Sequence, residues 1–168
     1  MFVLGIDPGL TRCGFGLVQG SLDGTESFRA VHAGVLETDA SLEVELRLAQ
    51  IHADLSSLLE EFRPQAVVIE RVFFQRNAKT AIPVAQASGI AVGLAGSRGI
   101  TVRQFTAQQV KLAVSGYGAA TKSQVQRMVA QLCGLATVPA PADAADALGL
   151  AITYFVTERV ERRFAVAT

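Results

Sequence analysis

The amino-acid sequence predicts an α/β fold: a mixed five-stranded sheet whose first three strands are antiparallel, with helices on both faces. Three observations predict it. Short apolar runs of strand length fill the first 36 residues, separated by turn residues. Beyond them, strand-like and helix-like periodicities alternate. The run Ala66-Val-Val-Ile-Glu70 is apolar on both faces, as suits a central strand covered on each side.

Each element has its own signal. Phe2-Val-Leu-Gly-Ile-Asp7 is an apolar strand closed by the turn Asp7-Pro8-Gly9. Cys13–Val18 and Phe28–Leu36 follow as strands, divided by the turn-like Gly20–Gly24. From Ser41 to Phe62 the period lengthens. Leu48, Ile51, Leu55, Leu58 and Phe62 recur at three- and four-residue steps, which predicts an amphipathic helix. After the strand Ala66–Glu70, the uncharged run Thr80–Ser97 reads as a helix of small residues, a surface that another helix can approach closely. Ile100–Phe105 is the fifth strand. Thr106-Ala-Gln-Gln109 and Thr121-Lys-Ser-Gln124 both match a capping box and open two short helices, with a flexible linker, Ser115–Ala120, between them. Past Pro139 and Pro141 a last helix runs to about Arg163.

The 168 residues fit one domain, 1–168, with the last few residues open to disorder. Half the residues are hydrophobic and 18% are charged, which excludes a disordered chain. Cys13 and Cys133 have no ligand spacing and read as buried thiols of a reducing compartment, and with only two histidines a Cys/His zinc site is excluded. Pro83 and three glycines interrupt the longest uncharged run, which argues against a membrane span. No basic stretch precedes the apolar start, so it does not read as a signal peptide. The expected location is cytoplasmic.

A net charge of zero conceals a strong asymmetry. Residues 1–70 carry eleven acids and four bases, whereas residues 71–142 carry eight bases and no acid. A stretch of that length without a carboxylate suits an anion-binding surface, and nucleic acid is the commonest large anion. The plainer alternative is that these bases are solvated and scattered over several faces.

Four acids stand at element ends. Asp7 and Glu70 each close an apolar strand. If those strands are parallel neighbours, both carboxylates leave the sheet at one edge, about 5 Å apart, and the carboxyl edge is where open α/β sheets hold ligands. Asp143 and Asp146, three apart at the start of the last helix, share a face. Singly, each has an ordinary explanation: Asp7 a turn, Asp143 a helix cap, Asp146 a dipole partner, Glu70 an ion pair with Arg71. Together, clustered carboxylates repel one another unless cations neutralise them, and oxygen ligands alone select Mg²⁺ or Mn²⁺.

Gly5-Ile-Asp-Pro-Gly9, Val68-Ile-Glu-Arg-Val-Phe73, Gln108-Gln-Val-Lys111, Lys122-Ser-Gln-Val-Gln126 and Ala142-Asp-Ala-Ala-Asp-Ala-Leu148 together resemble, in order, the RuvC family of Holliday junction resolvases. The resemblance spans residues 1 to about 155. It implies an RNase H-like fold and a homodimer that nicks two strands of a four-way DNA junction symmetrically, leaving 5′-phosphates. It implies that Asp7, Glu70, Asp143 and Asp146 bind two Mg²⁺ ions, with Mn²⁺ able to substitute, and that Lys111 and Lys122 meet the DNA backbone. Phe73 matches an aromatic that the family stacks at the crossover. Phe74, Arg76 and Lys79 extend the same basic, loop-like segment toward DNA. Partnership with the branch-migration proteins RuvA and RuvB is implied by resemblance alone. The small-residue helix is the candidate dimer contact, since a two-fold enzyme suits a two-fold junction. The chain departs from some relatives in ending soon after Glu158–Arg163, without a longer basic tail.

Three rivals are weighed. The opening Gly-Ile-Asp-Pro-Gly also suits actin- and sugar-kinase-type ATPases, but these need two lobes that 168 residues cannot supply. A non-catalytic junction-binding module would need the basic middle but gain nothing from four acids. A simple RNase H would not call for the paired aromatics.

Overall fold

The computed structural model describes residues 1–24, 27–71 and 78–166, with side chains of the last segment from 81 to 165. Its strands are β1 (Phe2–Asp7), β2 (Arg12–Gln19), β3 (Arg29–Glu37), β4 (Ala66–Glu70) and β5 (Thr101–Phe105). Its helices are α1 (Val44–Phe62), α2 (Ala78–Ser97), α3 (Ala107–Ser115), α4 (Lys122–Leu132) and α5 (Ala142–Val166). The strands lie in the order β3-β2-β1-β4-β5. β1 pairs antiparallel with β2, and β2 with β3; β4 runs parallel to both β1 and β5. This is the mixed sheet expected from the sequence, in the RNase H-like order.

The two-residue alternation along each strand divides the core into two layers. Leu4 and Ile6 of β1, Phe15 and Leu17 of β2, and Val67 and Ile69 of β4 face α1 and α2, where Ile51, Leu55, Ala87, Ala91 and Ala95 close the layer. Val3, Ala66 and Val68 face the other side, against α3, α4 and α5 with Val110, Val129, Leu148, Ile152 and Phe155. Odd-numbered positions of β1 and even-numbered positions of β4 therefore look toward α5. Asp7 and Glu70 continue those two series.

Three glycines on that face set how close α5 comes. A Cβ on Gly5 would fall 1.9 Å from the Ala147 carbonyl oxygen, one on Gly14 would fall 2.4 Å from the Asp143 carbonyl oxygen, and one on Gly16 would fall 2.6 Å from the Leu148 nitrogen. Gly5 and Gly16 are cross-strand partners, as are Asp7 and Gly14. The absence of side chains on these positions lets the α5 backbone rest directly on the sheet.

Some boundaries differ from those the sequence predicts. α1 begins at Val44 rather than Ser41, because Asp39 accepts a hydrogen bond from the Ser41 N–H at 2.8 Å and Glu43 is still extended. It ends where Arg63 turns left-handed before Pro64. Both capping boxes form, at Thr106 with Gln109 and at Thr121 with Gln124. The linker between α3 and α4 is a hydrogen-bonded turn, not a loose one. Gly116 is left-handed, Ser115 Oγ donates to the Lys111 carbonyl at 2.7 Å, and the Ala120 N–H donates to the Tyr117 carbonyl at 3.0 Å. Cys13 and Cys133 are free and buried, and burial pushes each thiol up to about 11. Among the described residues no helix is long and apolar enough to cross a membrane.

Candidate active site

The parallel register Ile6↔Ile69 carries directly into Asp7 and Glu70, so these two acids leave adjacent strands side by side at the carboxyl edge of the sheet. Their carboxyl groups are close enough for the ionisation of each to depend on the other. Burial, reinforced by the charges of Glu70, Asp146 and Asp143 and eased by Lys122, pushes the Asp7 carboxyl up to about 7. Burial also raises Glu70, with the Asp7 hydrogen bond acting the other way. The Asp7 carboxyl is therefore part-protonated near neutrality. Arg71, the partner that the sequence offers Glu70, forms no ion pair with it, and the Arg71 backbone N–H donates to the Phe105 carbonyl at 2.8 Å, tying the end of β4 to β5.

The first turn of α5 brings the other two acids. Asp143 lies over Gly14, the cross-strand partner of Asp7, and Asp146 follows one turn later on the same side. Each meets a cation. Arg12 Nε donates to Asp143 Oδ2 at 2.9 Å, and the same guanidinium pairs with Glu37. Lys122 Nζ lies 2.6 Å from Asp146 Oδ2, which raises the lysine pKa, while Gln126 Nε2 reaches Asp146 Oδ1 at 3.3 Å. Beside the acids a cavity of about 300 Å³ is lined by Glu70, Lys111, Lys122 and Asp146 with the apolar Val110, Val125 and Leu150.

All four acids thus converge within electrostatic reach of Asp7, and Lys111 and Lys122 join them from α3 and α4. The donor set is oxygen alone, which fits a hard divalent cation, and the Asp7 pKa is raised first by burial and then by the three neighbouring carboxylates, whose charge Lys122 only partly offsets. As positioned, no group of three His, Cys, Asp or Glu side chains among the described residues encloses a single ion; Asp143 and Asp146 are each engaged by a basic side chain instead. Phe73, Phe74 and Arg76 lie outside the described residues. Lys79 lies in the first turn of α2, its side chain also outside them.

The basic middle resolves into separate groups. Arg98 pairs with Glu60 at 3.3 Å, and Arg103 pairs with Glu158 at 2.9 Å and Glu161 at 2.8 Å. Acids from the flanking segments fold back onto these bases, so they do not belong to one anion-binding face. Lys111 and Lys122 do face the acids. Sequence reasoning misses Arg12 and Gln126 as partners of Asp143 and Asp146, and it misses the three glycines that seat α5. The glycines carry a visible signal, since Gly14 and Gly16 stand on one face of a strand where a side chain would ordinarily pack. Arg12 carries none.

Comparison with known proteins follows the geometry. The family model described as crossover junction endodeoxyribonuclease RuvC matches residues 3–154. The crossover junction endodeoxyribonuclease RuvC of Thermomicrobium roseum is 48% identical over 159 residues, which cover 95% of each chain. The structure of Thermus thermophilus RuvC superposes with a TM-score of 0.88 at 37% identity, covering 96% of this chain and 97% of that one. The same protein in complex with Holliday junction substrate gives the same TM-score and identity, covering 96% of both chains. A family match across nearly the whole chain, together with close relatives of the same length and fold, establishes that the chain belongs to the RuvC family of crossover junction endodeoxyribonucleases.

Proposed function

We propose that this protein resolves four-way DNA junctions as a homodimer, nicking two strands symmetrically, and that Asp7, Glu70, Asp143 and Asp146 hold two Mg²⁺ or Mn²⁺ ions for phosphodiester hydrolysis. One observation carries the reading. Asp7 and Glu70 stand side by side, largely buried, at the carboxyl edge of the sheet, within reach of two further acids and beside a cavity lined by two lysines. Carboxylates brought together at that cost to their ionisation suit a site that acts with cations bound.

The ions, when bound, supply an activated water and neutralise charge on the leaving 3′ oxygen. The residues of the chain do the rest. Asp7, set between Glu70 and the α5 acids, would hold the ions together with them once deprotonated. Lys122 holds Asp146 in the resting protein and stands at the cavity wall where an incoming phosphate would need a positive partner. Lys111, on the same wall, suits a backbone phosphate. Phe73 and Phe74 suit stacking on unpaired bases, with Arg76 and Lys79 on phosphates. The apolar wall of Val110, Val125 and Leu150 limits water at the reacting group.

The dimer reading has support on α2. Ala87, Ala91, Leu94 and Ala95 face the core, and the opposite face carries the half-exposed Ile82 with Gly89 and Gly93, where an added Cβ would meet nothing within 4 Å. A flat stripe of this kind accepts a second copy of the same helix about a two-fold axis. Partnership with RuvA and RuvB, and a cytoplasmic location, go with the function and rest on the resemblance.

The test is cleavage of a mobile four-way junction with Mg²⁺ or Mn²⁺, mapping both nicks. The expected result is paired, symmetric nicks with 5′-phosphate ends. Asp7→Asn should keep junction binding or improve it while losing cleavage by more than the roughly 10–100-fold that an outer-shell substitution costs a metal site. Undiminished cleavage by Asp7→Asn, or cutting confined to RNA–DNA hybrids, would overturn the proposal.

A further inference from the structure

Arg12 is held by one acid of the candidate site and by one acid outside it. It opens β2, directly across from Glu37 at the end of β3. Its Nε donates to Asp143 Oδ2 at 2.9 Å, and its terminal nitrogen pairs with Glu37. Two residues along the strand, Gly14 carries the first turn of α5 from which Asp143 projects. The base of this bridge is fixed from below. The buried Arg47 donates to Thr11 Oγ1 at 2.6 Å and to Thr38 Oγ1 at 3.0 Å, and the Thr38 N–H donates to the Thr11 carbonyl at 3.1 Å. Thr11 and Thr38 are the immediate neighbours of Arg12 and Glu37. The backbones that present the two partners are therefore tied together, while the guanidinium and the Glu37 carboxylate themselves are solvent-exposed.

We infer that Arg12 is a positioning residue, a resident counter-ion that occupies Asp143 until a divalent cation displaces it and that Glu37 then retains beside the site. The inference rests on the reading of the four acids as a metal site. The positive charge of Arg12 on Asp143 Oδ2 repels a second cation brought to the same carboxylate and draws on the electron density that would bind it, so Arg12 and the metal ion compete for Asp143. Glu37 weakens Arg12 as a competitor, because it offers the guanidinium a second carboxylate at no change in backbone position. The arrangement gives two acidic neighbours of one arginine opposite influences on metal affinity: Asp143 binds the ion, and Glu37 draws away its rival.

The experiment is calorimetric titration of Mg²⁺ into the full-length, DNA-free protein and its variants, with circular dichroism and melting temperature confirming that each variant is folded. Removing one unit charge at ion-pair distance near a surface should tighten Mg²⁺ binding by Arg12→Gln about fivefold. Glu37→Gln should weaken it about two- to threefold, since Arg12 then rests on Asp143 alone. Arg12→Lys should stay near wild type, and the double variant R12Q/E37Q should bind as R12Q does, because Glu37 acts only through Arg12. A merely structural role would lower affinity in both single variants or change neither. Unchanged or weaker binding by folded R12Q, or a loss in E37Q that persists in the double variant, overturns the inference. Failure of the underlying metal site looks different: wild type and Asp7→Asn would then titrate identically.

Discussion

Asp7 ends a strand whose other residues are apolar, and burial with three neighbouring acids pushes its carboxyl up to about 7. The consequence for stability has a definite sign. The group binds its proton more tightly in the folded chain than in the unfolded one, where its pKa is near 3.8. Its contribution is therefore most favourable at low pH and is lost as pH rises from about 4 through 7, by up to about 1.4 kcal/mol per pH unit. In metal-free protein, Asp7→Asn removes this penalty. Denaturant unfolding should show the variant gaining on wild type between pH 5 and pH 8, by on the order of 2 kcal/mol. A difference in stability that stays constant between those pH values would contradict the raised pKa of Asp7. Mg²⁺ affinity should rise with pH over the same window and level off above it, since the ion must displace that proton.

At the scale of elements, the decisive contact is α5 on the glycine face of β1 and β2. Gly5, Gly14 and Gly16 remove the Cβ atoms that would hold the helix off the sheet, and Asp143 and Asp146 reach the strand-end acids because the helix lies that low. Gly5→Ala should therefore act at a distance. Its methyl would meet the Ala147 carbonyl, which is backbone and cannot rotate away. Overpacking in cores costs roughly 1–3 kcal/mol when side chains can adjust, and this site has no such freedom. The expected outcome is a loss of thermal stability together with weakened Mg²⁺ binding in whatever fraction remains folded. Gly118→Ala in the turn between α3 and α4 is the control for a glycine-to-alanine change in itself, because a methyl there makes only ordinary contact with the Gln108 side chain, at 3.6 Å. Full Mg²⁺ affinity in Gly5→Ala would show that the depth of α5 does not govern the site.

At the scale of the whole molecule, the fold is largely legible in the sequence because each strand and helix carries its own period, and capping boxes fix the starts of α3 and α4 at single residues. Asp7 and Glu70 are legible as a pair because both close apolar strands, and Asp143 and Asp146 because three-residue spacing puts them on one helix face. What joins these acids to other chain segments is not legible. The Arg12–Asp143 contact spans 131 positions and leaves no local pattern. The distribution of positive charge is misleading in one dimension for the same reason: Arg98 and Arg103 belong to a basic stretch in sequence but to ion pairs with Glu60, Glu158 and Glu161 in space. The account depends on acids from β1, β4 and α5 forming one site, and crystals equilibrated with Mn²⁺ test that most directly through anomalous scattering. The account predicts manganese peaks within about 2.0–2.3 Å of oxygens from Asp7 and from at least two of Glu70, Asp143 and Asp146, with the Arg12 guanidinium moved off Asp143. Manganese bound elsewhere with these four carboxylates undisturbed, or acids that never share an ion, would contradict it.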